Sequence, residues 1–138
     1  MMTTIADSPE KPSFLITVDV EDWFQVENFK SCIPFSSWDS FELRVERNVH
    51  RILDLLEGIP LKDAAPAPGH PKATFFVLGW VAERLPHLVR EIHQRGHEIA
   101  SHGNSHVLCR EIERQNLRQD LAESKRKPEG LTEKRWTD

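Results

Sequence analysis

The first strongly apolar stretch, Phe14 to Val20, reads Phe-Leu-Ile-Thr-Val-Asp-Val, a β-branched run with the length of a buried strand. It leads into Glu21-Asp22, so with Asp19 three carboxylates gather where a strand meets a loop. Trp23 to Ser40 has no clear period but holds Trp23, Phe24, Phe29, Phe35 and Trp38, and it reads as an aromatic lid packed on the core. Asp39 or Ser40 can cap the next helix by accepting from an unpaired backbone N–H. Val45, Val49, Ile52 and Leu56 then fall on one helical face, and Gly58 supplies a left-handed stop. Leu61 to Pro71 is rich in Pro and Ala, lacks an apolar period, and reads as a surface insertion.

Ala73 to Leu78 is a second buried strand, closed by Gly79. The stretch from Trp80 to Arg95 is helical in two pieces, because Pro86 suits a first turn and disfavours a helix interior. Leu85, Leu88, Val89 and Ile92 form its apolar stripe, and Gly96 ends it. His97 to Ser101 is a third, short strand that runs into His102-Gly103-Asn104-Ser105-His106. Glu111 to Lys125 is a polar helix with Ile112, Leu117 and Leu121 inside, and from Lys125 the charge is dense. The alternation of apolar strands with helices predicts a parallel sheet covered on its faces. Three βα units do not close a barrel, which needs about eight, so the fold is an α/β layer or part of a barrel.

Composition narrows the classes. The chain has 138 residues, and 18 basic against 22 acidic side chains give a net charge of −4. That balance argues against a protein that tracks phosphates along nucleic acid. The apolar share of 38% is lean for a globular chain. No apolar run is long enough to span a membrane, and residues 1–13 are polar with no signal-like core. The location therefore defaults to the cytoplasm. Cys32 and Cys109 do not make a disulfide framework and read as reduced thiols.

Sites in α/β sheets lie at the carboxyl ends of strands. Asp19, Glu21 and Asp22 follow the first strand, and His102 and His106 follow the third. Two imidazoles four residues apart can converge on one cation if the segment turns helically. A carboxylate then completes a two-histidine set of the catalytic zinc type, with a position open for water. Either Glu21 or Asp22 could be that carboxylate; alternation along a strand favours Glu21 by returning it to the Asp19 face. His50, His70, His87, His93 and His97 read as surface or capping residues. Ser105 has no evident base, and Cys109 beside His106 is a minor candidate.

Three ordered segments carry a resemblance. Ile16-Thr17-Val18-Asp19-Val20-Glu21-Asp22-Trp23-Phe24, Ala73-Thr74-Phe75-Phe76-Val77-Leu78-Gly79 and Arg95-Gly96-His97-Glu98-Ile99-Ala100-Ser101-His102-Gly103-Asn104-Ser105-His106 resemble the NodB-homology polysaccharide deacetylases, the fourth carbohydrate esterase family. The Thr-Val-Asp-Val-Glu-Asp opening is similar to the branch associated with exopolysaccharide and exosortase clusters. The resemblance implies the N-terminal portion of a distorted βα barrel over residues 14–126, interrupted by the insertion at 61–71, with 127–138 a polar tail. It implies a divalent metal, by preference zinc, held by His102, His106 and Glu21 or Asp22, with Asp19 as general base. The implied substrate is an N-acetylated polysaccharide or oligosaccharide, and the implied reaction is amide hydrolysis.

The family pattern continues with an Arg-x-Pro motif and a later histidine, neither of which follows Leu131-Thr132 here. The expectation is therefore a truncated chain that binds metal but turns over little, with an exposed sheet edge open to self-association. The alternative reading is a non-enzymatic half-domain that binds metal, glycan or a partner chain.

Overall fold

A computed structural model describes residues 14–61 and 69–132 of the chain. Strands β1 (Thr17–Val20), β2 (Thr74–Val77) and β3 (Glu98–Ser101) pair in parallel in the order β1-β2-β3. Thr17 lies beside Thr74 and Thr74 beside Glu98, and the register runs on to Val20, Val77 and Ser101. Alternation divides the sheet into two unlike faces. Val20, Phe75, Val77 and Ile99 are buried on one, with Val18 packed against them. Thr17, Asp19, Thr74, Phe76, Glu98 and Ala100 occupy the other, and none of them is buried. Among the described residues, one face of the sheet is packed and the other open.

The α-helices are α1 (Val45–Glu57), α2 (Gly79–Arg84), α3 (Pro86–Gln94) and α4 (Arg114–Thr132), and short 3-10 turns lie between β1 and α1. Val45, Val49, Leu53 and Leu56 of α1 enter the core, with Leu53 rather than Ile52 innermost. Leu88, Val89 and Ile92 of α3 join them, and Pro86 stands in the first turn of α3, where its missing N–H costs nothing.

Three expectations require correction. Asp39 and Ser40 do not cap α1, because they lie in a 3-10 turn, Phe35–Ser40, several residues upstream. Asp39 pairs instead with Arg84, whose guanidinium lies 3.7 Å from the centre of the Trp80 ring. Gly58 has φ −72°, so α1 ends without a left-handed residue; positive φ occurs at Gly96, Gly103 and His106. The dense charge after Lys125 is not a tail as far as Thr132, because α4 continues through it. Ser124 and Pro128 are buried and Leu131 packs on the core, an inner face at spacings of four and three that the surrounding charges mask. Lys127 turns inward and pairs with Glu83 at 3.1 Å.

Leu61 and Gly69 form an antiparallel bridge at the base of the expected insertion. The rest of that insertion, residues 62–68, lies outside the described residues, as do 1–13 and 133–138. Cys32 and Cys109 are free and exposed. No helix among the described residues is long and apolar enough to cross a membrane.

His97 is not a surface residue. It is 3% exposed, its Nδ1 accepts from the Ala73 N–H at 3.2 Å, and its ring meets Phe75 edge-on at 5.2 Å. Burial pushes its pKa below the ordinary 6.5, and the nearby Lys72 pushes the same way. The folded state therefore holds His97 neutral while the unfolded chain takes up a proton near pH 6.5. His97 contributes stability at neutral pH that is lost as pH falls below about 6.5. In denaturant unfolding at pH 7.5 and pH 5, the wild type should lose more stability on acidification than His97→Asn; equal losses would disprove the assignment.

Candidate metal centre

The centre is assembled at the carboxyl ends of β1 and β3. Glu21 stands two residues beyond Asp19, so the alternation of the extended chain carries it toward the open face. At the other end, the His102 N–H donates to the Val77 carbonyl at 3.0 Å and prolongs the ladder by one bond. The next four residues are not helical. Gly103 at φ 77° turns the chain, and His106 itself sits at φ 57°, an uncommon conformation for a residue with a side chain. The histidines thus converge through a left-handed loop rather than a helical turn.

That loop is clamped from two sides. At the start of α2, the Gly79 N–H donates to the Gly103 carbonyl at 2.8 Å and the Trp80 N–H to the Asn104 carbonyl at 3.0 Å. From α4, Asp120 accepts from the Asn104 N–H at 3.1 Å, and Lys127 donates to the Asn104 side-chain oxygen at 2.8 Å. Ser101 donates to Ser124 at 2.7 Å and accepts from the Gly103 N–H at 3.2 Å. Glycine is required at 79, since a Cβ there would stand 2.4 Å from Asn104 Oδ1 and 3.0 Å from its Cα. Asp120, Ser124 and Lys127 carry no signal in the sequence; only the fold brings a polar helix back onto the loop.

The result is a tight group. Glu21 Oε2 lies 3.1 Å from His106 Nε2 and 3.7 Å from His102 Nε2, and the three ligand atoms all fall within 4.8 Å of one another. Glu21 Oε2 and His102 Nε2 are buried and have no hydrogen-bond partner. Buried polar atoms without partners are rare in folded proteins, and one carboxylate facing two imidazoles is a donor set suited to a divalent cation. The residues therefore fit the metal that the sequence implied. The Glu21 carboxylate raises the His102 pKa above 6.5 against the opposing effect of burial, and the charge of Asp19 adds to the rise. Asp19 itself is exposed on the open face.

Asp22 is placed apart from this group. It is 3% exposed, and its Oδ2 accepts from the N–H groups of Arg44 at 2.6 Å and Val45 at 2.9 Å, while Oδ1 accepts from Trp23 at 2.9 Å. Both oxygens are committed to backbone at the start of α1 and of the 3-10 turn Trp23–Gln25. As a metal-ligand candidate Asp22 is thus replaced by a capping role, and the cap sought at Asp39 or Ser40 is supplied from 22 residues upstream of Arg44.

A family model described as polysaccharide deacetylase matches residues 69–137, half of the chain. A peptidoglycan-N-acetylglucosamine deacetylase of Bacillus cereus is 33% identical over 55 residues, covering 40% of this chain and 26% of the relative. Among solved structures, a CE4 family pseudoenzyme from Bacillus anthracis superposes with a TM-score of 0.61 at 20% identity, over 93% of this chain and 34% of that one. A peptidoglycan deacetylase from Bacillus subtilis gives 0.57 at 16% identity, over 93% and 48%. The chain therefore spans about a quarter of the curated relative's length and less than half of either structure, and the structural likenesses speak to fold.

The two carboxylates are separable by experiment. Glu21→Gln should weaken zinc binding by more than ~100-fold, beyond the ~10–100-fold typical of outer-shell changes, with little loss of stability. Asp22→Ala should lower stability by about 1–2 kcal/mol through lost caps and retain zinc affinity within a few-fold. Calorimetric zinc titration with thermal melts reads both, and the opposite pattern would move the ligand to Asp22. Zinc affinity should rise with pH through the His102 titration, since the proton and the cation compete for one nitrogen. Gly79→Ala should cost roughly 1–3 kcal/mol by overpacking and weaken zinc binding as the loop shifts.

Proposed function

The chain belongs to the polysaccharide deacetylase family, and from that premise we propose that Glu21, His102, His106 and Asp19 form a metal-dependent centre that hydrolyses the N-acetyl group of a glycan. The observation that carries this is the convergence of one carboxylate and two imidazoles, with unpartnered buried atoms at Glu21 Oε2 and His102 Nε2. Family fold alone does not carry it, since a fold hosts active and inactive members alike and one structural neighbour is described as a pseudoenzyme.

Glu21, His102 and His106 would hold the cation, and zinc is the metal that best suits this nitrogen and oxygen set. When bound, such a cation polarises an amide carbonyl and brings the pKa of water down toward about 7. Asp19, on the open face with its charge felt at His102, would take the proton that water must lose in attacking the acetyl carbon. Water adds to that carbon, the proton taken from it passes to the amide nitrogen as the carbon–nitrogen bond breaks, and acetate and a free sugar amine are the products. The substrate is an N-acetylated glycan; the B. cereus relative supports N-acetylglucosamine as the unit attacked.

The test is acetate release from an N-acetylglucosamine tetramer by the zinc-loaded chain. Release above the blank, however slow, should vanish on chelation and fall ~10²–10⁴-fold in Asp19→Asn, the usual contribution of a positioned acid–base group. No release after prolonged incubation, or equal release by Asp19→Asn, would sink the proposal.

A further inference from the structure

Gly103, Asn104 and Ser105 join the two histidines of the metal centre, and they are not held equally. Among the described residues, the backbone of Ser105 and of His106 makes no hydrogen bond to another backbone group. His106 nonetheless keeps a positive φ and brings its Nε2 to 3.1 Å from Glu21 Oε2. Its place is therefore set chiefly by Asn104, two residues earlier.

Asn104 is held at three points. Its N–H donates to Asp120, its carbonyl accepts from the Trp80 N–H at 3.0 Å, and its Oδ1 accepts from Lys127 Nζ at 2.8 Å. On the Asn104 side the first two bonds use backbone atoms, so any residue other than proline could make them. The third depends on the side chains at both ends. Gly79 shapes the same contact, because a Cβ there would stand 2.4 Å from Asn104 Oδ1. Space left by a glycine and the charge of an ammonium thus fix one amide oxygen together.

Packing alone does not account for a lysine at 127. Its neighbours Ser124 and Pro128 are buried, and its own side chain is 21% exposed. An ammonium drawn so far from water needs acceptors, and apolar replacements of buried charges are often neutral or stabilising. Two acceptors meet it, Asn104 and, at 3.1 Å, Glu83 of α2. The Glu83 side chain is 63% exposed, and pairs open to water contribute little to stability. What the lysine adds over an apolar residue is a fixed direction for Asn104.

We propose that Lys127 is a positioning residue of the metal centre, acting through Asn104 on the place of His106. It is not a ligand itself; it holds the second imidazole where Glu21 and His102 can share a cation with it. The inference rests on the metal-centre reading, and it ties cation affinity to the docking of α4.

The experiment combines zinc titration of the full chain, thermal melts of the metal-free protein, and visible absorption with cobalt(II) in place of zinc, which reports ligand geometry. Lys127→Met keeps the stem and removes the ammonium. It should leave the melting temperature nearly unchanged, weaken zinc binding ~10–100-fold, the range of outer-shell changes, and alter the cobalt spectrum. Lys127→Arg keeps a donor and should restore both affinity and spectrum to near wild type. Arg126→Met removes the same charge from an exposed neighbour and should change neither. A folded Lys127→Met with wild-type zinc affinity overturns the proposal, as does weaker binding with an unaltered cobalt spectrum. An equal loss in Arg126→Met overturns it in favour of net charge. If Lys127→Met does not fold, Asn104→Ala decides, since it leaves the Lys127–Glu83 pair in place: its zinc binding should weaken as much, and undiminished affinity overturns the proposal. A wild type that binds neither ion sinks the centre itself, whereas binding that Lys127→Met preserves sinks the positioning role alone.

Discussion

The arrangement depends on a distance that the backbone alone cannot close. Glu21 follows β1 and His102 follows β3, and β2 lies between them, so their strands stand two spacings apart, or roughly 10 Å. Only side chains that lean across the end of β2 can meet, and there the Val77 carbonyl anchors the His102 N–H. Parallel register makes this possible, because it brings all three carboxyl ends to one edge. A one-residue slip of β1 would turn Asp19 and Glu21 into the packed face and take the acidic group away from the imidazoles.

His106 adds a second constraint. Four residues of irregular chain would sample many conformations, and His106 holds a positive φ, a state that persists only where the surroundings determine it. The N-terminal turn of α2 and the inward polar side chains of α4 provide that determination. The long polar helix is thus part of the site although it donates no ligand. Its inner face is small and hydrogen-bonded: Asp120 and Lys127 bond Asn104 of the loop and Ser124 bonds Ser101 at the end of β3, while Pro128 is buried and Leu131 packs on the core.

What could be read from the sequence follows from how local each cause is. β-branched runs announced the strands, Pro86 announced the break between α2 and α3, and strand-end placement announced the acidic and imidazole residues, because each signal lies within a few positions. The cap of α1 was illegible, since its donors and the accepting Asp22 are 22 and 23 residues apart. The last turns of α4 were hidden by charge, because Lys127 faces inward to Glu83 and Asn104 while its neighbours advertise a solvated surface. His97 misled in the same way: a titratable ring between Gly96 and Glu98 reads as exposed, and only the pairing of β2 with β3 places it over Phe75.

Three carboxylates in four residues illustrate how little the residue type decides. Asp19 lies within the strand, so alternation leaves it exposed on the open face. Glu21, two residues on, keeps that direction but has passed the last ladder bond, and its longer side chain reaches the imidazoles. Asp22 points the other way and is buried, which an ionised group tolerates only when its oxygens are well bonded. Three backbone N–H groups meet that need. Gln25, three residues on, completes the cap by accepting the Asp22 N–H on Oε1. The one short segment after β1 therefore both brings Glu21 to the imidazoles and caps α1, so the candidate centre and the start of α1 are positioned together.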